Sequence, residues 1–145
     1  MTAPIIAFLL TAAGAGHAAE HRIEMLGEGK DATMAFAPAF IHAAPGDSLR
    51  FLPVDPYHNA ETIRGLFPDG AEAFKGALGE EFAVTLDREG VYLVMCRSHY
   101  AVGMVALVVV GAMPDRPTLE KAVAGPHPAR AKAAFAAILD SLPGR

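Results

Sequence analysis

The stretch VYLVMCRSHYAVGMVALVVV, residues 91–110, decides the fold. Two apolar, β-branched runs, Val91–Cys96 and Met104–Val110, flank a short loop, which is the pattern of two strands joined by a turn. The chain's one cysteine closes the first run, His99 stands in the loop and Met104 opens the second run. One hairpin therefore presents a thiol, an imidazole and a thioether. With a single cysteine no internal disulfide forms, so the thiol needs another explanation. Sulfur ligands combined with histidine favour copper over magnesium, calcium or manganese, and a thioether is a poor ligand for zinc.

Working outward, the apolar pattern keeps period two over most of the preceding chain. Besides the two runs above, it predicts strands at His21–Leu26, Thr33–Ala37, Phe40–Ala43, Ser48–Pro53 and Glu81–Leu86, separated by the turn sequences GEGKD, APGD and DREG. Short strands spaced in this way predict an all-β sandwich. Between Asp55 and Gly79 the alternation stops, and Asp69–Lys75 reads as a short helical excursion. After Gly111 the chain is alanine-rich with helical spacing. It predicts two C-terminal helices, Thr118–Val123 and Ala129–Leu142, interrupted by GPHP and packed on the sandwich, since helices this short are marginal alone.

Twelve basic residues against sixteen acidic ones give a net charge of -4. The basic residues are scattered, which excludes a nucleic-acid footprint and leaves proteins or small species as partners. The first residues, MTAPIIAFLLTAAGAGHAAE, carry no charge before Glu20 and read as a secretory signal with small residues at Gly16 and Ala18. The expected cut follows Ala18 and places the mature chain outside the cytoplasm, with no membrane partner after cleavage. Because no Lys or Arg precedes the apolar run, an uncleaved anchor is the alternative.

A mononuclear electron-transfer copper site requires a second histidine. Of the chain's six histidines, His17 leaves with the signal, His21 and His42 lie on predicted strands, and His127 is flanked by Gly-Pro and Pro in the helix connection. Only His58, in PVDPYHNAETI, follows a strand end into an irregular loop, where a side chain can meet the cysteine loop at one pole of the sandwich. His21, His42 and His127 are assigned no function.

The run Cys96-x-x-His99-Tyr100-Ala101-x-Gly103-Met104, with VALVVVG after it and with PGDSLRFLPVDPYHNAETI and FPDGAEAFK before it, resembles the pseudoazurins, periplasmic blue-copper proteins of the cupredoxin fold. The resemblance covers about Ile23 to Gly111 and extends to the helical tail. It implies an eight-stranded Greek-key sandwich and a type 1 copper site with His58, Cys96, His99 and Met104 as ligands. The expected domains are a signal peptide at 1–18, a cupredoxin copper-binding domain at 19–112 and a helical extension at 113–145. The implied role is a monomeric, diffusible carrier of single electrons, not an enzyme, that docks transiently near His99 with redox partners such as copper nitrite reductase. Leu66, Phe67 and Pro68 are candidates for an apolar ring around His99. Asn59 fits the family position that hydrogen-bonds across to the cysteine loop, and Met34 either packs against a ligand imidazole or fills the core.

Two departures from the family stand out. Where the family reads Cys-Thr-Pro-His, this chain reads Cys96-Arg97-Ser98-His99. A backbone N–H at Ser98, which proline lacks, or a water admitted beside it, is a candidate donor near the Cys96 sulfur. Pro56 and Met95 stand where lysines are common, leaving Lys75, Arg64 and Arg97 as the local cations and weakening electrostatic steering. A copper chaperone or storage protein with the same ligands is the alternative reading, and it predicts a more open site. A thiol enzyme in which His99 activates Cys96 is a third reading, but it leaves Met104 and His58 unexplained.

Overall fold

The computed structural model describes residues 16–27 and 34–144. Most of the expected signal segment 1–18 lies outside them, as does Thr33 at the expected start of the second strand. Among the described residues there are eight strands: β1 Glu20–Leu26, β2 Ala35–Ala37, β3 Phe40–Ala43, β4 Asp47–Pro53, β5 Glu61–Thr62, β6 Phe82–Leu86, β7 Gly90–Met95 and β8 Val105–Val110. They form two four-stranded sheets, β2-β1-β4-β6 and β3-β8-β7-β5. β1 lies parallel to β4 and β3 parallel to β8, while the other pairs are antiparallel. Neighbours distant in sequence are brought side by side, giving the expected Greek-key sandwich with two C-terminal helices, α1 Arg116–Val123 and α2 Ala129–Ser141.

The second sheet explains why VALVVV is apolar without interruption. All six residues of β8 are buried, with alternate side chains facing different cores. Ala106, Val108 and Val110 point between the sheets with Ile23, Met25, Leu49 and Phe51. Val105, Leu107 and Val109 point outward under the helices, against Leu119, Ala131, Phe135, Ile138 and Leu139. A strand covered on both faces loses the polar half of its alternation. β7 divides in the same way: Tyr92 and Val94 face the inter-sheet core and Leu93 faces the helices. Continuing that period of two places Cys96 in the inter-sheet core at the strand's end.

Three expectations change. Asp69–Lys75 is not helical. Its neighbourhood runs beside β5, where the Thr62 N–H donates to the Phe74 carbonyl (3.0 Å) and the Gly76 N–H to the Ala60 carbonyl (2.9 Å). Strand-like pairing satisfies backbone groups that a helix would have used internally. Leu66, Phe67 and Pro68 do not ring His99. Pro68 packs against Gly90 at the start of β7, the end remote from Cys96, and Leu66 and Phe67 are partly buried against the two cores. Helix α1 starts at Arg116, two residues before the expected Thr118. The Asp115 carboxylate caps it by accepting the Thr118 N–H at 3.0 Å, and Pro117 is tolerated in the first turn, where its N–H is not needed.

Candidate metal centre

The site forms where β7 and β8 run out. Past the Met95–Val105 pair, the Cys96 N–H donates to the Met104 carbonyl at 3.0 Å, and the Met104 N–H donates to the His99 carbonyl at 3.1 Å. The His99 N–H donates to the Cys96 carbonyl (3.2 Å), turning the chain tightly enough to bring the imidazole back beside the thiol. A single 3-10 turn, Tyr100–Val102, follows, and Gly103 at φ 97° returns the chain to β8. That left-handed conformation is strained for any residue with a Cβ.

His58 arrives from the connection between β4 and β5 and is 1% exposed. Its Nε2–H donates to the Asp55 carboxylate, with Oδ1 at 3.0 Å, which leaves Nδ1 as a bare acceptor. That nitrogen lies 3.2 Å from His99 Nδ1 and 3.9 Å from Cys96 Sγ, and His99 Nδ1 lies 3.6 Å from the same sulfur. Burial, and then the neighbouring His58, push the His99 pKa below its ordinary value, against a smaller opposing pull from Asp55. A neutral imidazole keeps a lone pair for a metal. Met104 is fully buried in the same core cluster as Cys96.

The triangle can be tested against a metal ion. A three-coordinate ion with bonds of ~2.0 Å to nitrogen and ~2.3 Å to sulfur spaces its donors about 3.5–3.7 Å apart. The observed edges of 3.2, 3.6 and 3.9 Å bracket that spacing. Two imidazole nitrogens and a thiol converging on one point, with a thioether in the same cluster, fit copper.

Asn59 reaches the cysteine loop. Its Oδ1 accepts the Arg97 N–H at 2.9 Å, and its Nδ2 donates to Glu61 at 3.0 Å and to the Gly76 carbonyl at 3.2 Å. Among the described residues no hydrogen bond joins the Ser98 N–H to Cys96 Sγ, and Ser98 is exposed. Met34, with His58 and His99, lines a shallow hollow at this pole, together with Val54 and Tyr57.

Two groups escaped the sequence. Asp55 fixes the tautomer of His58, and its only sequence signal is a carboxylate three residues before a candidate ligand. A Cβ on Gly27 would stand 2.2 Å from Asp55 Oδ2, so that glycine makes room for the carboxylate. Glu61, only 3% exposed, receives the Arg97 guanidinium as a fork, with Nη2 at 2.5 Å from Oε1 and Nε at 3.2 Å from Oε2. Arg97 is thereby committed to an internal partner.

The pattern of copper binding proteins of the plastocyanin/azurin family matches residues 23–111. The chain is 41% identical over 124 residues to a pseudoazurin of Paracoccus pantotrophus, covering 86% of each chain. It is 48% identical over 104 residues to a pseudoazurin of Methylorubrum extorquens, covering 72% of this chain and 70% of that one. The crystal structure of pseudoazurin from Methylobacterium extorquens AM1 superposes with a TM-score of 0.77 at 42% identity, over 86% of this chain and 99% of that one. Matched over most of its length, the chain belongs to the plastocyanin/azurin family of copper-binding proteins and, within it, to the pseudoazurins.

Proposed function

We propose that this electron-carrier cupredoxin works in the periplasm, with His58, Cys96, His99 and Met104 holding its copper and His99 serving as the electron's way out. Bound copper supplies a one-electron couple between Cu(II) and Cu(I), and the protein is not an enzyme. The residues hold the donors in place. Asp55 fixes the His58 ring, Asn59 ties the cysteine loop to the His58 loop, and the strand ends fix Cys96 and Met104. Donors held by a rigid frame before an electron arrives need little rearrangement when it does. The observation that carries this reading is the convergence of His58 Nδ1, His99 Nδ1 and Cys96 Sγ within one small triangle.

Adding Cu(II) to the purified chain tests it. The expected result is an intense blue or green colour that Cys96→Ser abolishes. A colourless protein with a freely alkylated Cys96 overturns the reading. A chaperone would present an open site, whereas His58 and Cys96 are 1% and 0% exposed, which favours a carrier.

Partners dock transiently at the copper end, and copper nitrite reductase or a related denitrification enzyme is the proposed acceptor. Val54, Tyr57, Leu78 and Val102 are the exposed large apolar side chains among the described residues, and all flank the loops bearing His58 and His99. Weak redox encounters use small patches of this kind. Val102→Lys is expected to slow electron self-exchange between oxidised and reduced copies, read by NMR line broadening, and an unchanged rate argues against docking here. Periplasmic location rests on the signal segment 1–18, and N-terminal sequencing of the exported chain should begin at Ala19. No helix among the described residues is long and apolar enough to cross a membrane.

A further inference from the structure

His127 has no place in the copper chemistry, yet it is buried, at 6% exposed. A buried imidazole needs partners, and both its nitrogens have one. Nε2 lies 3.0 Å from the Val123 carbonyl, which can only accept, so Nε2 carries the proton. Nδ1 is then the acceptor for the Tyr100 hydroxyl, 2.5 Å away. Val123 ends α1, His127 stands two residues before α2, and Tyr100 follows His99. One side chain thus joins both helices to the loop that carries two candidate ligands.

A separate contact acts on the same loop. A Cβ placed on Gly103 would lie 3.0 Å from the Arg130 carbonyl oxygen in the first turn of α2. The loop therefore sits on that turn as closely as a bare backbone allows. The Tyr100 ring is partly buried in the core beneath the helices, and His127 also packs on Phe135 with ring centroids 5.0 Å apart.

We propose that His127 and Tyr100 form a clamp by which the C-terminal helices position the loop from His99 to Met104. They are positioning residues: they touch no metal and act through the loop backbone. The loop's own bonds are local, running from the Val102 and Met104 N–H groups to the His99 carbonyl and from the Gly103 N–H to the Tyr100 carbonyl, each at 3.1 Å. A segment held only by such short-range bonds opens easily unless something outside it holds it down. The proposal rests on His99 and Met104 being copper ligands for its functional meaning, but not for its test.

The test is amide hydrogen exchange on the copper-free full chain, which needs no metal and so fails independently of the copper reading. Tyr100→Phe removes only a hydroxyl and keeps the ring. Exchange at Val102, Gly103 and Met104 is expected to speed by about fivefold or more, the loss of one partly buried hydrogen bond, while Leu107 and Val108 in β8 serve as an unchanged reference. His127→Leu should act on the same amides, with the double variant no worse than the worse single one, and His127→Gln should restore part of the protection. The copper-loaded Tyr100→Phe protein should show an altered visible spectrum. Loop amides that speed no more than those of β8, or single effects that simply add, overturn the clamp. If His127→Leu does not fold, the Tyr100→Phe exchange ratio decides alone.

Discussion

His58 offers one nitrogen to the site because Asp55 occupies the other, and the carboxylate also adds a negative charge that favours the more positive metal state. Asp55→Asn keeps an acceptor for the Nε2–H but removes that charge. Copper affinity is expected to fall by about 10–100-fold, the usual cost of altering a ligand's hydrogen-bond partner, and the reduction potential to rise. Competition titration and voltammetry check both. Gly27→Ala should move both quantities in the same direction, because its methyl would displace the Asp55 oxygen 2.2 Å away. Cys96, His99 and Met104 stand out in the sequence as candidates because one short loop carries all three. His58 stands out as a candidate because it follows a strand end. Asp55 does not, since it is one of sixteen acidic residues and only the folded loop shows which faces an imidazole.

Among elements, the cysteine loop is tied down through the β5 strand. The Glu61 carboxylate is 3% exposed and is satisfied by Asn59 and the Arg97 fork, while the Arg97 side chain itself is 61% exposed. A fully buried pair would cost more to break, but water screens the arginine side of this one. Arg97→Ala is expected to destabilise the copper-free chain by about 1–2 kcal/mol, and adding Glu61→Gln should recover most of that loss by removing the stranded charge. Urea unfolding of both variants reads the difference. A double variant less stable than Arg97→Ala alone contradicts the arrangement. The same strand shows where element-level reading fails. β5 has two residues, too few for periodicity to register, and the nearby Ala, Glu, Phe and Lys of 71–75 have helical composition. Long-range pairing with β5 overrides that local preference. β8 and α2 were legible because their patterns are long: six unbroken apolar residues in one, and a 3.6-residue stripe through Ala131, Phe135, Ile138 and Leu139 in the other.

At the scale of the molecule, Asp47 joins the first strand to its parallel neighbour. It accepts from His21 at 2.8 Å, from the Ala44 N–H at 2.9 Å and from the Ala19 N–H at 2.8 Å. The hydrogen bond from His21, followed by those from Ala44 and Ala19, lowers its pKa from 3.8 to about 2. A carboxyl whose folded pKa is depressed stabilises the fold above the unfolded value and ceases to do so as pH falls through the folded one. The advantage of the copper-free native chain over Asp47→Asn should therefore be full above pH 3.8 and fade as pH falls through about 2, as read from urea midpoints across that range. A gap that stays constant down to pH 2 excludes this role. The separation of His58 from Cys96, 38 residues along the chain, has a further consequence. Copper held by both, as proposed, would act as a staple between the β4–β5 connection and the end of β7. Drawing a loop of that length together in an unfolded chain costs about 4 kcal/mol of chain entropy, a cost the folded sandwich has already met. Partial loosening should therefore leave the metal in place, and global unfolding should release it. Absorbance of the bound copper and far-ultraviolet circular dichroism are expected to change together along one denaturation curve, making the pigment an optical gauge of the intact sandwich around it.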